Sequence, residues 1–254
     1  MNFIWVFSGK QIKRTLVIAV AILFALGIFY AENENVQVFF PLDTGPQAIY
    51  SVNTDKKQVA LTFDISWGEE RAGPILDVLE QKGLKKATFF LSSPWAETHP
   101  DIVKRIDDMG YEIGSHGHRH DNYSSYNEHQ IRTQISKADQ NLTEVTGKKP
   151  KLIRFPNGDF DKRVLRIADQ MGYKTIQWDT DSLDWMNPGK DKIIQRVVKK
   201  AHPGDIILMH ASDSCKQTHE ALPAIIDSLR AKGYEFVTVS ELIAGSEVKM
   251  KPVE

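Results

Sequence analysis

From residue 58 onward the apolar positions follow two alternating patterns. Short apolar, β-prone runs occur at 58–63, 87–91, 111–114, 151–155, 174–177, 205–209 and 235–239. Between them, apolar residues recur at helical spacing over 69–81, 100–109, within 127–146, and over 162–171, 190–201 and 218–231, with a closing helical turn at 240–244. Gly83, Gly110, Gly147, Gly172 and Gly233 stand near the ends of these helices, where a left-handed cap residue is expected. Strand–helix repetition of this kind predicts an α/β domain with a parallel sheet and outer helices. The run of strands suits a closed or nearly closed barrel; a doubly wound open sheet is the alternative.

The first part of the chain is patterned differently. An uncharged apolar run over 15–31 follows Lys10, Lys13 and Arg14. Such a run is at the short end of what spans a bilayer, and the basic flank predicts that the residues before it stay in the cytoplasm. Phe29 and Tyr30 would mark the far interface. A cleaved signal peptide has a similar pattern, but Phe29-Tyr30-Ala31 places bulk where a small residue is wanted. The reading is therefore a cytoplasmic tip and signal-anchor transmembrane helix over 1–31. A connector follows at 32–54, broken by Asn33, Asn35, Pro41, Gly45 and Pro46, then a folded domain at 55–246 and a tail at 247–254. The expected location is the cell membrane, single-pass, with the domain on the extracytoplasmic side.

Charge and cysteine content remove several function classes. The formal net charge is -1 and no long basic run occurs, so nucleic acid is not an expected partner. The single cysteine, Cys215, excludes an intramolecular disulfide and a multi-cysteine zinc site.

The chemistry centres on Ser115-His116-Gly117-His118-Arg119-His120. If the strand at 111–114 continues, all three imidazoles point to one side; if a helix begins, His116 and His120 share a face at i and i+4. Either way His116 and His120 can converge on a divalent ion such as zinc. In parallel barrels the active site lies at the carboxyl ends of the strands. Asp64, the histidines, Arg154, Asp181, Asp184 with Trp185, and His210 all fall at or just beyond such ends. Polar groups from distant parts of the chain thus meet on one rim. That arrangement suits a metal-assisted hydrolase with an aspartate base and a histidine acid.

These residues resemble the polysaccharide deacetylases of the NodB-homology class, carbohydrate esterase family four, through five motifs in order. They are Thr62-Phe63-Asp64-Ile65, His116 with His120, Arg154-Phe155-Pro156-Asn157-Gly158, Asp181-Ser182-Leu183-Asp184-Trp185, and Leu208-Met209-His210. The anchor and compact domain look most like the sporulation-associated members. The resemblance implies a distorted (β/α)7 barrel that removes N-acetyl groups from amino sugars of peptidoglycan glycan strands, in the cell wall or spore cortex, on the forespore or mother-cell envelope. It implies that Asp64 is the base, held ionised by Arg154, and that His210 is the acid, oriented by Asp184. His116 and His120 would hold a divalent metal, zinc by this resemblance. The Asn157 backbone N–H would help hold the oxyanion, and Trp185 and Leu208 would line the acetyl pocket.

Two positions depart from the family pattern. The usual first motif has two adjacent aspartates, the second completing an Asp-His-His metal set, and here Ile65 follows Asp64. Isoleucine has no donor atom. Ser66, Asp64 itself and His118 are the candidates to complete the set. Asn157 stands where tyrosine is usual, keeping the backbone N–H and losing the ring. The alternative to a working deacetylase is an impaired one that binds envelope glycan without turnover.

Overall fold

The structure is a computed structural model and describes residues 9, 10, 13, 15, 16, 20, 45–244 and 247–250. The chain divides into two units, Met1–Asp43 and Thr44–Glu254. The expected anchor at 15–31 and the connector up to residue 44 lie almost wholly outside the described residues. Among those described, no helix is long and apolar enough to cross a membrane.

The second unit is built on one sheet. Its strands are β1 (Ile49–Asn53), β2 (Gln58–Ile65), β3 (Thr88–Leu91), β4 (Glu112–Ser115), β5 (Leu152–Ile153), β6 (Lys174–Thr175), β7 (Thr180–Asp181), β8 (Asp205–His210), β9 (Glu235–Phe236) and β10 (Glu247–Met250). The main path runs β10-β1-β8-β2-β3-β4-β5-β6, with β7 added to β8 and β9 to β2. The pairings from β8 through β2 to β6 are all parallel. β1 joins β8 at Ser51↔Asp205, and the bridge Ile49↔Ile176 brings it against the residue just past β6. The two ends of the parallel sheet therefore meet through β1, and the sheet is a nearly closed barrel. The open-sheet alternative is set aside.

Alternation along β2 separates two cores. Val59, Leu61, Phe63 and Ile65 join the outer apolar layer with Ile75, Leu76 and Leu79 of α1 (Ala72–Gln81) and with Leu222, Ile225 and Leu229 of α7 (Thr218–Ala231). Ala60 joins the inner cluster with Phe90, Ile176 and Ile206. A one-residue shift would exchange these sets, so the register is strongly specified. The remaining helices are α2 (Ser93–Thr98), α3 (Pro100–Asp108), α4 (Glu128–Thr146), α5 (Lys162–Gln170), α6 (Lys190–Lys200) and α8 (Val239–Ile243). In α4, Asn127 and Gln130 form a reciprocal capping box, and Gly147 closes the helix at φ 70°. The glycine end was expected from the sequence; the capping box at the other end is a finding of the structure.

Several predicted elements change. β1 takes residues 49–53 out of the expected connector, and β10 takes 247–250 out of the expected tail. The runs at 151–155, 174–177 and 235–239 each shorten to two paired residues. The helix expected from 69 begins at Ala72, because residues 66–71 form a loop tied to Asp213. Beyond Ser115 the chain is neither strand nor helix: Gly117 turns it at φ 76°.

Candidate active site

β2 delivers Asp64 to the carboxyl-end rim, side by side with the last residue of β8 in the register Asp64↔His210. Asp64 faces inward and is 4% exposed. Arg154, just past β5, is wholly buried beneath it. A buried guanidinium needs partners in a fixed geometry. One of its nitrogens donates to Asp64 Oδ1 at 2.7 Å and to Thr62 Oγ1 at 2.8 Å, and the other to the Gln177 carbonyl at 3.0 Å. Its Cζ lies 4.2 Å from the Phe90 ring centre. Burial pushes the Asp64 carboxyl up, but Arg154, His116 and His210 together hold it below its ordinary value.

His116 hangs from the end of β4, and its Nδ1–H donates to the Arg154 carbonyl at 2.8 Å. Nε2 therefore carries the lone pair, 3.9 Å from Asp64 Oδ2. Burial pushes His116 down to about 4 and lowers His120 as well, so both imidazoles are neutral near pH 7. Their ring centres lie 5.5 Å apart. His118 is not part of this group; it turns away to hydrogen-bond Ser93 Oγ at 2.9 Å. It does not line the cavity, which removes it as a completing ligand.

The second pair faces the same space. Asp184 is wholly buried, and its Oδ1 accepts from His210 Nδ1 at 2.7 Å. Its Oδ2 accepts from the His210 backbone N–H at 2.8 Å and from the Thr218 hydroxyl at 2.7 Å. Burial alone would lower the His210 pKa; Asp184 outweighs it and the net shift is upward. Thr218 was missed by the sequence reading, because it comes from the start of a distant helix and belongs to no motif.

A cavity of about 430 Å³ joins these groups, lined among others by Asp64, His116, His120, Asn157, Trp185 and His210. Ser66, Leu208 and Cys215 also reach it. Leu208 is 3% exposed and Trp185 is 50% exposed, so Trp185 is not a core residue. Asn157 sits in the left-handed region at φ 58°, and its side-chain amide donates to Asn122. Ile65 does not line the cavity. It is fully buried in the outer apolar layer, since strand neighbours face opposite ways. The position where the family pattern has its metal-ligating aspartate thus faces away from the cavity in this chain.

The donor set accepts a cation only in part. His116 and His120 have the protonation state of two nitrogen ligands, with His116 Nε2 aimed into the cavity. Among the described residues, the one group of three His, Cys, Asp or Glu side chains with ligand atoms within 4.8 Å of one another is Asp184, His210 and Cys215. Both Asp184 oxygens are already used, and burial pushes the Cys215 thiol up to about 12. That trio is an ion pair beside a protonated thiol.

A parallel barrel with a carboxylate–guanidinium pair and a carboxylate–imidazole pair facing one cavity has the layout of an acid–base hydrolase. The sequence matches the polysaccharide deacetylase family over residues 51–176. It is 30% identical over 253 residues to the peptidoglycan-N-acetylmuramic acid deacetylase PdaA of Bacillus subtilis, covering 91% of this chain and 95% of that protein. It is 37% identical over 198 residues to the uncharacterised protein YlxY of Bacillus subtilis, covering 78% of this chain but only 61% of that protein. The fold matches the crystal structure of BA3943, a CE4 family pseudoenzyme from Bacillus anthracis, with a TM-score of 0.74 and 35% identity over 81% of this chain and 72% of that one. A mutant of BA3943 is described as having restored enzymatic activity. The chain belongs to the polysaccharide deacetylase family.

Proposed function

We propose that the protein is a peptidoglycan N-deacetylase, hydrolysing the acetamido groups of amino sugars to acetate and free amines. The observation that carries this is the juxtaposition of two charge-assisted pairs, Asp64 with Arg154 and His210 with Asp184, at the ends of adjacent strands and on one cavity. Asp64, kept ionised, takes a proton from the attacking water as its oxygen bonds to the acetamide carbon. His210 then delivers the proton on Nε2 to the departing nitrogen as the C–N bond breaks, because an amine leaves poorly as an anion. The Asn157 backbone N–H stabilises the oxyanion, and Leu208 and Trp185 enclose the acetyl methyl. His116 and His120 are the residues that would hold a divalent metal, zinc by donor type, which when bound polarises the acetamide carbonyl.

A second reading, glycan binding without turnover, is favoured by Ile65 and by the likeness to the pseudoenzyme. Acetate release from peptidoglycan fragments by the purified full chain, measured alongside glycan affinity and metal content, separates the two. Turnover supports the enzyme; affinity without acetate supports the binding protein.

On localisation, we infer a single-pass anchor at 15–31 with the barrel outside the membrane, in a sporulating cell's envelope. The support is the basic flank Lys10, Lys13 and Arg14 before an uncharged apolar run. Protease added outside protoplasts is expected to digest the barrel, and protection until lysis would reverse the orientation.

A further inference from the structure

Trp67 is the one large side chain of the cavity wall that comes from the loop after β2, and the proposed chemistry gives it no task. It is 46% exposed, yet the loop carrying it is tightly held. The Ser66 N–H donates to Ser212 Oγ at 2.9 Å, and the Asp213 N–H donates to the Trp67 carbonyl. The Asp213 carboxylate then accepts from the N–H groups of Glu69, Glu70 and Arg71 at 2.8, 2.9 and 3.0 Å. Gly68 fits under this carboxylate at φ +101°, where an added Cβ would lie 2.2 Å from the Asp213 carboxyl carbon. The Trp95 indole N–H closes the loop from the other side, donating to the Gly68 carbonyl at 2.7 Å.

A rigid loop that leaves an indole face in water has paid in advance the ordering cost that binding would otherwise impose. Position says what the face would meet. The Trp67 ring stands 5.1 Å from the His120 ring, nearly edge-on at 80°. It follows β2, which lies on one side of β8 and its terminal His210; Trp185 belongs to the segment after β7, on the other side of β8. The two half-exposed tryptophans thus leave the rim from the strands that bracket His210. A pyranose ring presents a flat face of C–H groups, which packs on an indole face and leaves its hydroxyls to water.

We propose that Trp67 is a stacking platform for a sugar ring adjoining the one whose acetamide enters the cavity, so that the site takes an internal stretch of glycan rather than a single amino sugar. This rests on the glycan reading of the same site, and the test keeps the two apart. Affinity of the full chain for N-acetylglucosamine and for its β-1,4-linked tetramer is measured by calorimetry, for the wild type and for Trp67→Phe, Trp67→Leu and Trp67→Ala. Wild type is expected to bind the tetramer more tightly than the monosaccharide. Trp67→Leu and Trp67→Ala are expected to lose about ten-fold on the tetramer and little on the monosaccharide, with Trp67→Phe close to wild type. Leucine fills the loop without a ring, so the leucine–phenylalanine comparison stands even if the alanine variant unfolds. Equal tetramer affinity in all three variants overturns the platform. An equal loss on tetramer and monosaccharide also overturns it, because Trp67 then acts through His120 on the cavity itself. If the wild type binds neither sugar, the glycan reading fails and takes the platform with it.

Discussion

Ile65 is fully buried in the apolar layer between sheet and helices, next to a cavity wall that offers two imidazoles. Ile65→Asp would leave a carboxylate among hydrocarbon unless the end of β2 twists toward the histidines. The metal-free variant is expected to be about 3 kcal/mol less stable than wild type. Zinc should then raise its melting temperature well beyond any wild-type shift, with faster acetate release, because a bound ion stabilises only the state that ligates it. Zinc shifts of equal size in both proteins would show that the new side chain stays in the apolar layer. The His210 pair yields a second prediction at this scale. Its pKa is raised in the fold, so its contribution to stability is complete below the unfolded value and is lost as pH rises through the folded one. The alkaline limb of kcat against pH should report the same group. In Asp184→Asn, burial acts without the counter-charge, so that limb should move to lower pH and activity at pH 7 should fall at least about ten-fold. Single residues were legible where chemistry and motif coincide, as at Asp64, Arg154, Asp184 and His210. Thr218, which completes the shell of Asp184, and the outward turn of His118 were not. Both depend on where another element comes to rest, the start of α7 for Thr218 and the start of α2 for His118.

Among the elements, the loop at 66–71 shows how one carboxylate can replace a helical turn. Its sequence resembles a helix start, yet three successive N–H groups go to Asp213 instead of to a local cap. Burial pushes the Asp213 carboxyl up, the three N–H donors outweigh it, and the net shift is downward. The stability it contributes is therefore present above the ordinary carboxylate value and lost as pH falls through the lowered one. Asp213→Ala is expected to cost about 1–3 kcal/mol, read from urea unfolding near neutral pH, with the gap to wild type closing in acid. The helices were readable because their signals are local: apolar residues at helical spacing and a closing glycine such as Gly147. The shortened strands were less so, because ladder length depends on the neighbouring strand, which the local sequence does not specify.

For the whole barrel, closure depends on β1, which sequence reading assigned to the connector. Pro41, Gly45 and Pro46 obscured the start of a strand whose partners lie at the far end of the chain. Gly204 is the joint. It accepts from the Val52 N–H and donates to the Gln58 carbonyl, both at 2.8 Å, and a Cβ there would lie 2.0 Å from the Val52 carbonyl oxygen. Gly204→Ala is expected to lower the melting temperature by several degrees, a loss of about 2 kcal/mol or more. Gly172→Ala has a similar φ and open space around it, and should cost only the backbone strain. The same closure sets an order of events during synthesis. β1 leaves the ribosome early, but its partners Asp205 and Glu247–Met250 are made long after it. Until they emerge, the bridge from Ile49 to Ile176 is the one strand contact available to it among the described residues. A ribosome stalled before residue 205 would hold a sheet with β2 bare along one side, exposed to other unfinished chains, until β8 emerges and pairs with it.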